Sequence, residues 1–193
     1  MPSNDISFNH LNGISSDDAD YLISLIRTIP GFPSEGILFR DFMPVFADPR
    51  GTKILLDAMV EALPVSVGDF DYIAGLEARG FLIGTVLAQH LGKGFIAVRK
   101  AGKLPPPVIS QSYTLEYGKA TMEIEQSLTN PGSRILIVDD LVATGGTAWA
   151  AMKLFESIGC PVAGFSFVMK LDGLDGYDRI SQYPISTLMT MPA

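Results

Sequence analysis

The 193-residue chain is poor in cysteine, histidine and charge. Its single cysteine, Cys160, excludes an intramolecular disulfide framework and any cysteine-based zinc cluster. Two histidines, His10 and His90, lie far apart in sequence and make no histidine-rich metal site. Charged residues account for only 18%, while hydrophobic residues reach 47%, a balance that sets the chain apart from disordered proteins. Fourteen Lys+Arg against twenty-one Asp+Glu leave a net charge of −7, which argues against general binding to nucleic acid or an anionic membrane. No apolar run approaches the roughly 18 residues that cross a bilayer. The opening MPSNDISFNHLNGISSDDAD has no basic region followed by an apolar one, and no arginine-rich amphipathic pattern. The expectation is a cytoplasmic protein forming a single domain over 1–193, with residues 1–14 flexible.

What is present is an α/β pattern. Asp17 or Asp18 is placed to cap a first helix carrying Leu22, Ile23, Leu25, Ile26 and Ile29, stopped by Pro30-Gly31. A second helix follows Asp48-Pro49. From residue 71 short apolar runs alternate with helical stretches: DYIAGL (71–76), GFIAVRK (94–100), RILIVDD (134–140) and VAGFSFVMKL (162–171) read as strands. RGFLIGTVLAQHL (79–91) and the segment after Thr147 read as helices. Strands that are apolar throughout are buried on both faces, so the pattern predicts a central, mainly parallel sheet flanked by helices. Between Lys100 and Arg134 the alternation around Tyr117-Gly118 instead predicts an antiparallel excursion, a hairpin or flap.

The most informative segment is ILIVDDLVATGGT (135–147). A strand runs up to Asp139 and Asp140, and Ala143, Thr144, Gly145, Gly146 and Thr147 then turn into a helix start. Free N–H groups and the positive dipole end at such a start suit a phosphate. Glycines let the backbone approach its oxygens, and the threonines add hydroxyl donors. No Gly-Lys-Ser/Thr follows and the G-x-G-x-x-G spacing is missing, which disfavours a P-loop and a nicotinamide dinucleotide. Two carboxylates ahead of the seat repel a phosphate but suit vicinal ribose hydroxyls, directly or through a metal.

This segment resembles the phosphoribosyl pyrophosphate (PRPP) signature of the type I phosphoribosyltransferase family. FPSEGILFRDFMPVF (32–46), YIAGLEARGFLIG (72–84), VRKAGKLP (98–105) and SYTLEYGKATMEI (112–124) extend the resemblance over roughly residues 20–175 and narrow it to the branch that uses adenine. It implies a 15–47 hood and base-binding segment, a mobile flap over 100–124, and transfer of the phosphoribosyl group from PRPP to adenine, giving AMP and pyrophosphate. Asp139 and Asp140 would hold the ribose, and residues 143–147 the 5′-phosphate. Glu77, Ala78 and Arg79, with a non-proline cis peptide expected between Glu77 and Ala78, would form the pyrophosphate loop, joined by Lys100 and Lys103. From Ala78 through Leu115 the chain holds five Lys or Arg and no Asp or Glu, a basic stretch suited to that polyanion. Phe39 and Leu141 would sandwich adenine, with Leu38 and Arg40 offering backbone groups to its edge.

Arg79, Glu116 and Tyr117 are the catalytic candidates, Glu116 either removing the adenine N9 proton or exchanging one with N7. Mg2+, held mainly by PRPP and water with no direct protein ligand, is the implied cofactor. A homodimer burying the face that bears the pyrophosphate loop is the implied assembly. The resemblance breaks at Pro106, where the family has glycine, so the expected flap hinges move to Gly102 and Gly118. Two other readings stand beside this one: a transferase for another purine base, and a non-catalytic PRPP sensor. Cys160, His90, Trp149, Tyr177 and the 185–193 tail receive no chemical role.

Overall fold

The computed structural model describes residues 5–9, 14–32, 34–114 and 119–192. Strands are β1 (Ser7–Phe8), β2 (Arg27–Pro30), β3 (Leu38–Asp41), β4 (Tyr72–Leu76), β5 (Gly94–Lys100), β6 (Val108–Thr114), β7 (Lys119–Glu125), β8 (Ile135–Val142), β9 (Val162–Asp172) and β10 (Ile185–Pro192). Helices are α1 (Ser16–Leu25), α2 (Met43–Ala47), α3 (Pro49–Glu61), α4 (Arg79–Leu91) and α5 (Gly146–Ser157). The main sheet runs β1-β10-β9-β8-β4-β5-β7-β6. Its five central strands, β10 through β5, are parallel, and antiparallel strands close both edges.

Alternation along the central strands divides the core between the two faces. Ile73 of β4 with Leu136 and Val138 of β8 packs toward α3 and α4, among Leu22, Phe42, Met59 and Leu87. Ala74 with Ile135 and Ile137 faces α5, among Met122, Phe155 and Phe165. Both layers are apolar, which is why these strands read as unbroken hydrophobic runs.

The first helix is shorter than its sequence pattern. Ser15, not Asp17 or Asp18, is the cap, accepting the Asp18 N–H at 3.1 Å, and both aspartates occupy the first turn. The helix stops at Leu25. Residues 27–30, with β-branched Thr28 and Ile29 ahead of Pro30, are extended and pair with Leu38–Asp41 as a two-stranded ribbon. The second helix follows Asp48-Pro49 as expected, with Asp48 capping it by accepting the Gly51 N–H. Two further strands lie where the sequence showed none. The 185–192 segment is a buried parallel strand beside β9, and Ser7–Phe8 pair with Met189 and Thr190 at its outer edge. Among the described residues no helix is long and apolar enough to cross a membrane.

Parallel strands point their C-terminal ends to one edge, where open α/β sheets form their crevice. Here that edge gathers Glu77 after β4, Lys100 on β5, Asp139 and Asp140 on β8, Leu171 on β9 and Met191 on β10. The ribbon β2–β3 stands over one side of the crevice and the hairpin β6–β7 over the other.

Candidate active site

Two adjoining cavities occupy the crevice. The smaller, about 110 Å³, is lined by Asp139 and the turn Ala143–Thr147. Gly145 has φ +70° and leads α5 without a side-chain cap, so the first helical N–H groups face this space. The larger cavity, about 270 Å³, lies between the ribbon and the sheet edge, with Phe39, Phe42, Arg79, Asp140, Leu141 and Met191 in its wall.

Strand alternation separates the acidic pair. Asp139 lines the smaller cavity, Asp140 lines the larger, apolar one, and Leu141 borders both. Burial and the neighbouring charge of Asp140 push the Asp139 carboxyl well above the usual carboxylate range, against the pull of the Asp140 N–H at 2.9 Å. Burial also raises Asp140, and Arg79 opposes it. Arg79 Nε lies 2.7 Å from Asp140 Oδ2, a close ion pair without the alignment of a hydrogen bond. α4 can start this near β8 because residue 80 is glycine: a Cβ there would meet Asp139 Oδ1 at 2.9 Å.

The Arg79 guanidinium also stands 5.4 Å from the centre of the Phe39 ring. Phe32, which the sequence reading left out of the site, meets Phe39 edge-on at 5.1 Å. Leu38 is half exposed at the cavity rim. The Arg40 side chain turns behind the ribbon, where it pairs with Asp5 and donates to Thr28.

The peptide bond between Glu77 and Ala78 is cis, as the resemblance implied. Glu77 does not offer a free carboxylate to the crevice. It accepts the Lys100 N–H at 2.8 Å and pairs with Arg99 at 3.2 Å. Burial opposes its ionisation, but these two donors outweigh burial and hold it below the usual range. Arg99 in turn donates to the Lys103 carbonyl at 2.9 Å, so Glu77 fixes the backbone that carries both lysines. Lys100 and Lys103 themselves are exposed. Glu116, Tyr117 and Gly118 lie outside the described residues.

The structure adds residues that motif reading passed over. Leu171, Met191 and Pro192 floor the larger cavity from the ends of β9 and β10. Tyr113 and Gly176 back the 143–147 turn. The apolar run in ISTLMTMP was the available signal for the floor; nothing local marks Gly176. Among the described residues no group of three His, Cys, Asp or Glu side chains is placed to hold a metal.

Comparison with known proteins agrees with this layout. Residues 66–190 match the phosphoribosyl transferase domain family. The chain is 63% identical to the adenine phosphoribosyltransferase of Bifidobacterium longum (strain NCC 2705) over 193 residues, covering 100% of both. The crystal structure of adenine phosphoribosyltransferase from Rhodothermus marinus is similar at TM-score 0.84 and 39% identity, covering 92% of this chain and 100% of that one. The Saccharomyces cerevisiae enzyme, solved with an imino-altritol bisphosphate and adenine, gives TM-score 0.81 and 44% identity, covering 90% and 99%.

Proposed function

The chain belongs to the phosphoribosyltransferase family, and from that premise we infer that it transfers the 5-phosphoribosyl group of PRPP to adenine, forming AMP and releasing pyrophosphate. The observation that carries this is the pair of cavities sharing Leu141: one apolar and wide enough for a flat base, one built of helix-start N–H groups. A nucleotide spans them with its base in the first, its 5′-phosphate in the second and its ribose against Asp139 and Asp140.

Phe39 and Leu141 take the faces of adenine, and backbone groups of Leu38 and Arg40 take its edge. The floor of Leu171 and Met191 offers no hydrogen-bonding side chain, which suits the apolar part of the ring. The Asp139 and Asp140 carboxyls accept from the ribose hydroxyls. Arg79, Lys100 and Lys103 gather the pyrophosphate, whose negative charge grows as the C1–oxygen bond breaks. Holding the base over C1 while the leaving group is neutralised supplies most of the acceleration, and the ribosyl cation must be shielded from water. That shielding, and a proton transfer at adenine, we assign to the 100–124 flap with Glu116 and Tyr117.

The donor set fits Mg2+ taken up with its substrate. Asp139 and Asp140 would be the carboxylates available to it, and PRPP and water would supply most of its ligands. When bound, the ion neutralises pyrophosphate oxygens. A homodimer through the α4 face is supported by Leu82 and Val86, 39% and 38% exposed, which border an apolar groove with Phe46 and Leu56. A buried thiol at Cys160 suits a reducing compartment, the cytoplasm.

The test is nucleotide formation from PRPP and Mg2+ with adenine, hypoxanthine and guanine in separate reactions. AMP from adenine alone is expected. Product from an oxo-purine instead would keep the phosphate and ribose sites but overturn the base pocket. Binding of PRPP without product from any base would point to a sensor.

A further inference from the structure

We propose that Tyr113 is a positioning residue for the 5′-phosphate: its hydroxyl donates to Thr147 and aims the Thr147 proton into the phosphate seat. This rests on the transferase reading above and extends its phosphate site to the antiparallel hairpin.

Tyr113 is the last large side chain on β6 and is only 7% exposed. Its hydroxyl lies 3.1 Å from Thr147 Oγ1, a contact in which either oxygen can donate. Its ring closes against the first residue of α5, where a Cβ on Gly146 would meet Tyr113 Cδ2 at 3.1 Å. The hairpin side chain therefore abuts both the backbone and the hydroxyl of the helix start that seats the phosphate.

A bound phosphate decides the direction of this contact. Phosphate oxygens only accept at a doubly charged monoester, so Thr147 must spend its single proton on the ligand. The Thr147 oxygen is then free to accept, and Tyr113 is the neighbouring donor. The chain runs from the Tyr113 O–H to Thr147 Oγ1, and from the Thr147 O–H to the phosphate. Each donation polarises the next. Tyr113 thus holds the threonine rotor in the binding arrangement without touching the ligand, and its effect falls on the phosphate end of PRPP alone.

Tyr113→Phe keeps the ring and removes only the donor. Calorimetry on the full chain with ribose 5-phosphate, and separately with pyrophosphate, reads the two ends of the site. The expected result is a Kd for ribose 5-phosphate raised about fivefold, the scale of one neutral hydrogen bond, with the Kd for pyrophosphate unchanged. In a Thr147→Val background the same substitution should change ribose 5-phosphate binding by less than about twofold, because the link is already cut. Unchanged or tighter ribose 5-phosphate binding in Tyr113→Phe overturns the proposal, as does a loss that persists in Thr147→Val. A wild-type chain that fails to bind ribose 5-phosphate at all overturns the transferase reading instead, and the wild-type titration shows which has failed.

Discussion

Gly145 and Gly176 stand back to back: a Cβ on Gly145 would lie 2.1 Å from the Gly176 carbonyl oxygen, and a Cβ on Gly176 would lie 2.2 Å from the Ala143 carbonyl oxygen. The 143–147 turn therefore rests directly on the backbone of the segment between β9 and β10. Neither side of that contact has room for a methyl group.

Gly176→Ala should displace the 143–147 turn without removing any ligand-binding group. Overpacking of this kind costs about 1–3 kcal/mol. The expected outcome is a lower unfolding midpoint and a raised KM for PRPP. Gly68→Ala, where nothing lies within 4 Å, serves as the silent control. Wild-type PRPP kinetics in Gly176→Ala would show that the turn is held from elsewhere.

Asp139→Asn should trade activity for stability. A carboxyl raised in the folded state contributes stability while protonated and loses it as pH climbs from the ordinary value of 3.8 through the raised one. Asparagine does not ionise, so its stability advantage over wild type should be larger at pH 8 than at pH 4. Loss of the ribose contact should lower kcat/KM for PRPP by about 10- to 100-fold, the scale of hydrogen bonds to a charged group. Thermal unfolding at both pH values checks the first claim and steady-state kinetics the second.

Glu77→Gln tests the opposite sign. This carboxyl is lowered in the folded state, so its contribution is present above the ordinary value of 4.5 and disappears as pH falls through the lowered one. Wild type should be more stable than Glu77→Gln at pH 7, and the gap should close on acidification. Because Glu77 holds Arg99 and the Lys100 N–H, pyrophosphate affinity should fall while adenine affinity is retained. A pH-independent gap would be incompatible with this account.

Asp5→Asn probes the ribbon. The Arg40 side chain is 3% exposed, and its Nε has no hydrogen-bond partner. Removing the charge of Asp5, itself 39% exposed, leaves that buried guanidinium poorly satisfied, at an expected cost of about 1–3 kcal/mol. The base wall lies on the same strand, so KM for adenine should rise more than KM for PRPP. An equal rise in both would make the pair a general stabiliser rather than a support for the base wall.

The sequence is legible where a local pattern decides the outcome. Arg79–Leu91 and Gly94–Lys100 form the helix and strand that their apolar periodicity requires, and the Asp139–Thr147 turn follows from its own glycines and hydroxyls. It is not legible where distant pairing decides. Ile29 fits a helical stripe, yet the ribbon partner Phe39 makes it a strand. The 185–192 tail looked uncommitted because its burial depends on β9 beside it. In the crevice, the motifs include the 143–147 turn and Phe39, which line the two cavities, but the floor of Leu171 and Met191 comes from strands with no motif. Nothing local in the sequence shows that the Glu77 and Arg40 side chains pair with Arg99 and Asp5, because those partners lie far along the chain.

Arg79 lies within reach of both Asp140 and the Phe39 ring, on two sides of the larger cavity. Any ligand that repositions this guanidinium from one side alters what the other side meets. Linkage then imposes a symmetry: whatever factor a ribosyl phosphate applies to the affinity for adenine, adenine applies to the affinity for the ribosyl phosphate. A ligand against Asp140 and one against Phe39 then share a single coupling constant, measurable from either end.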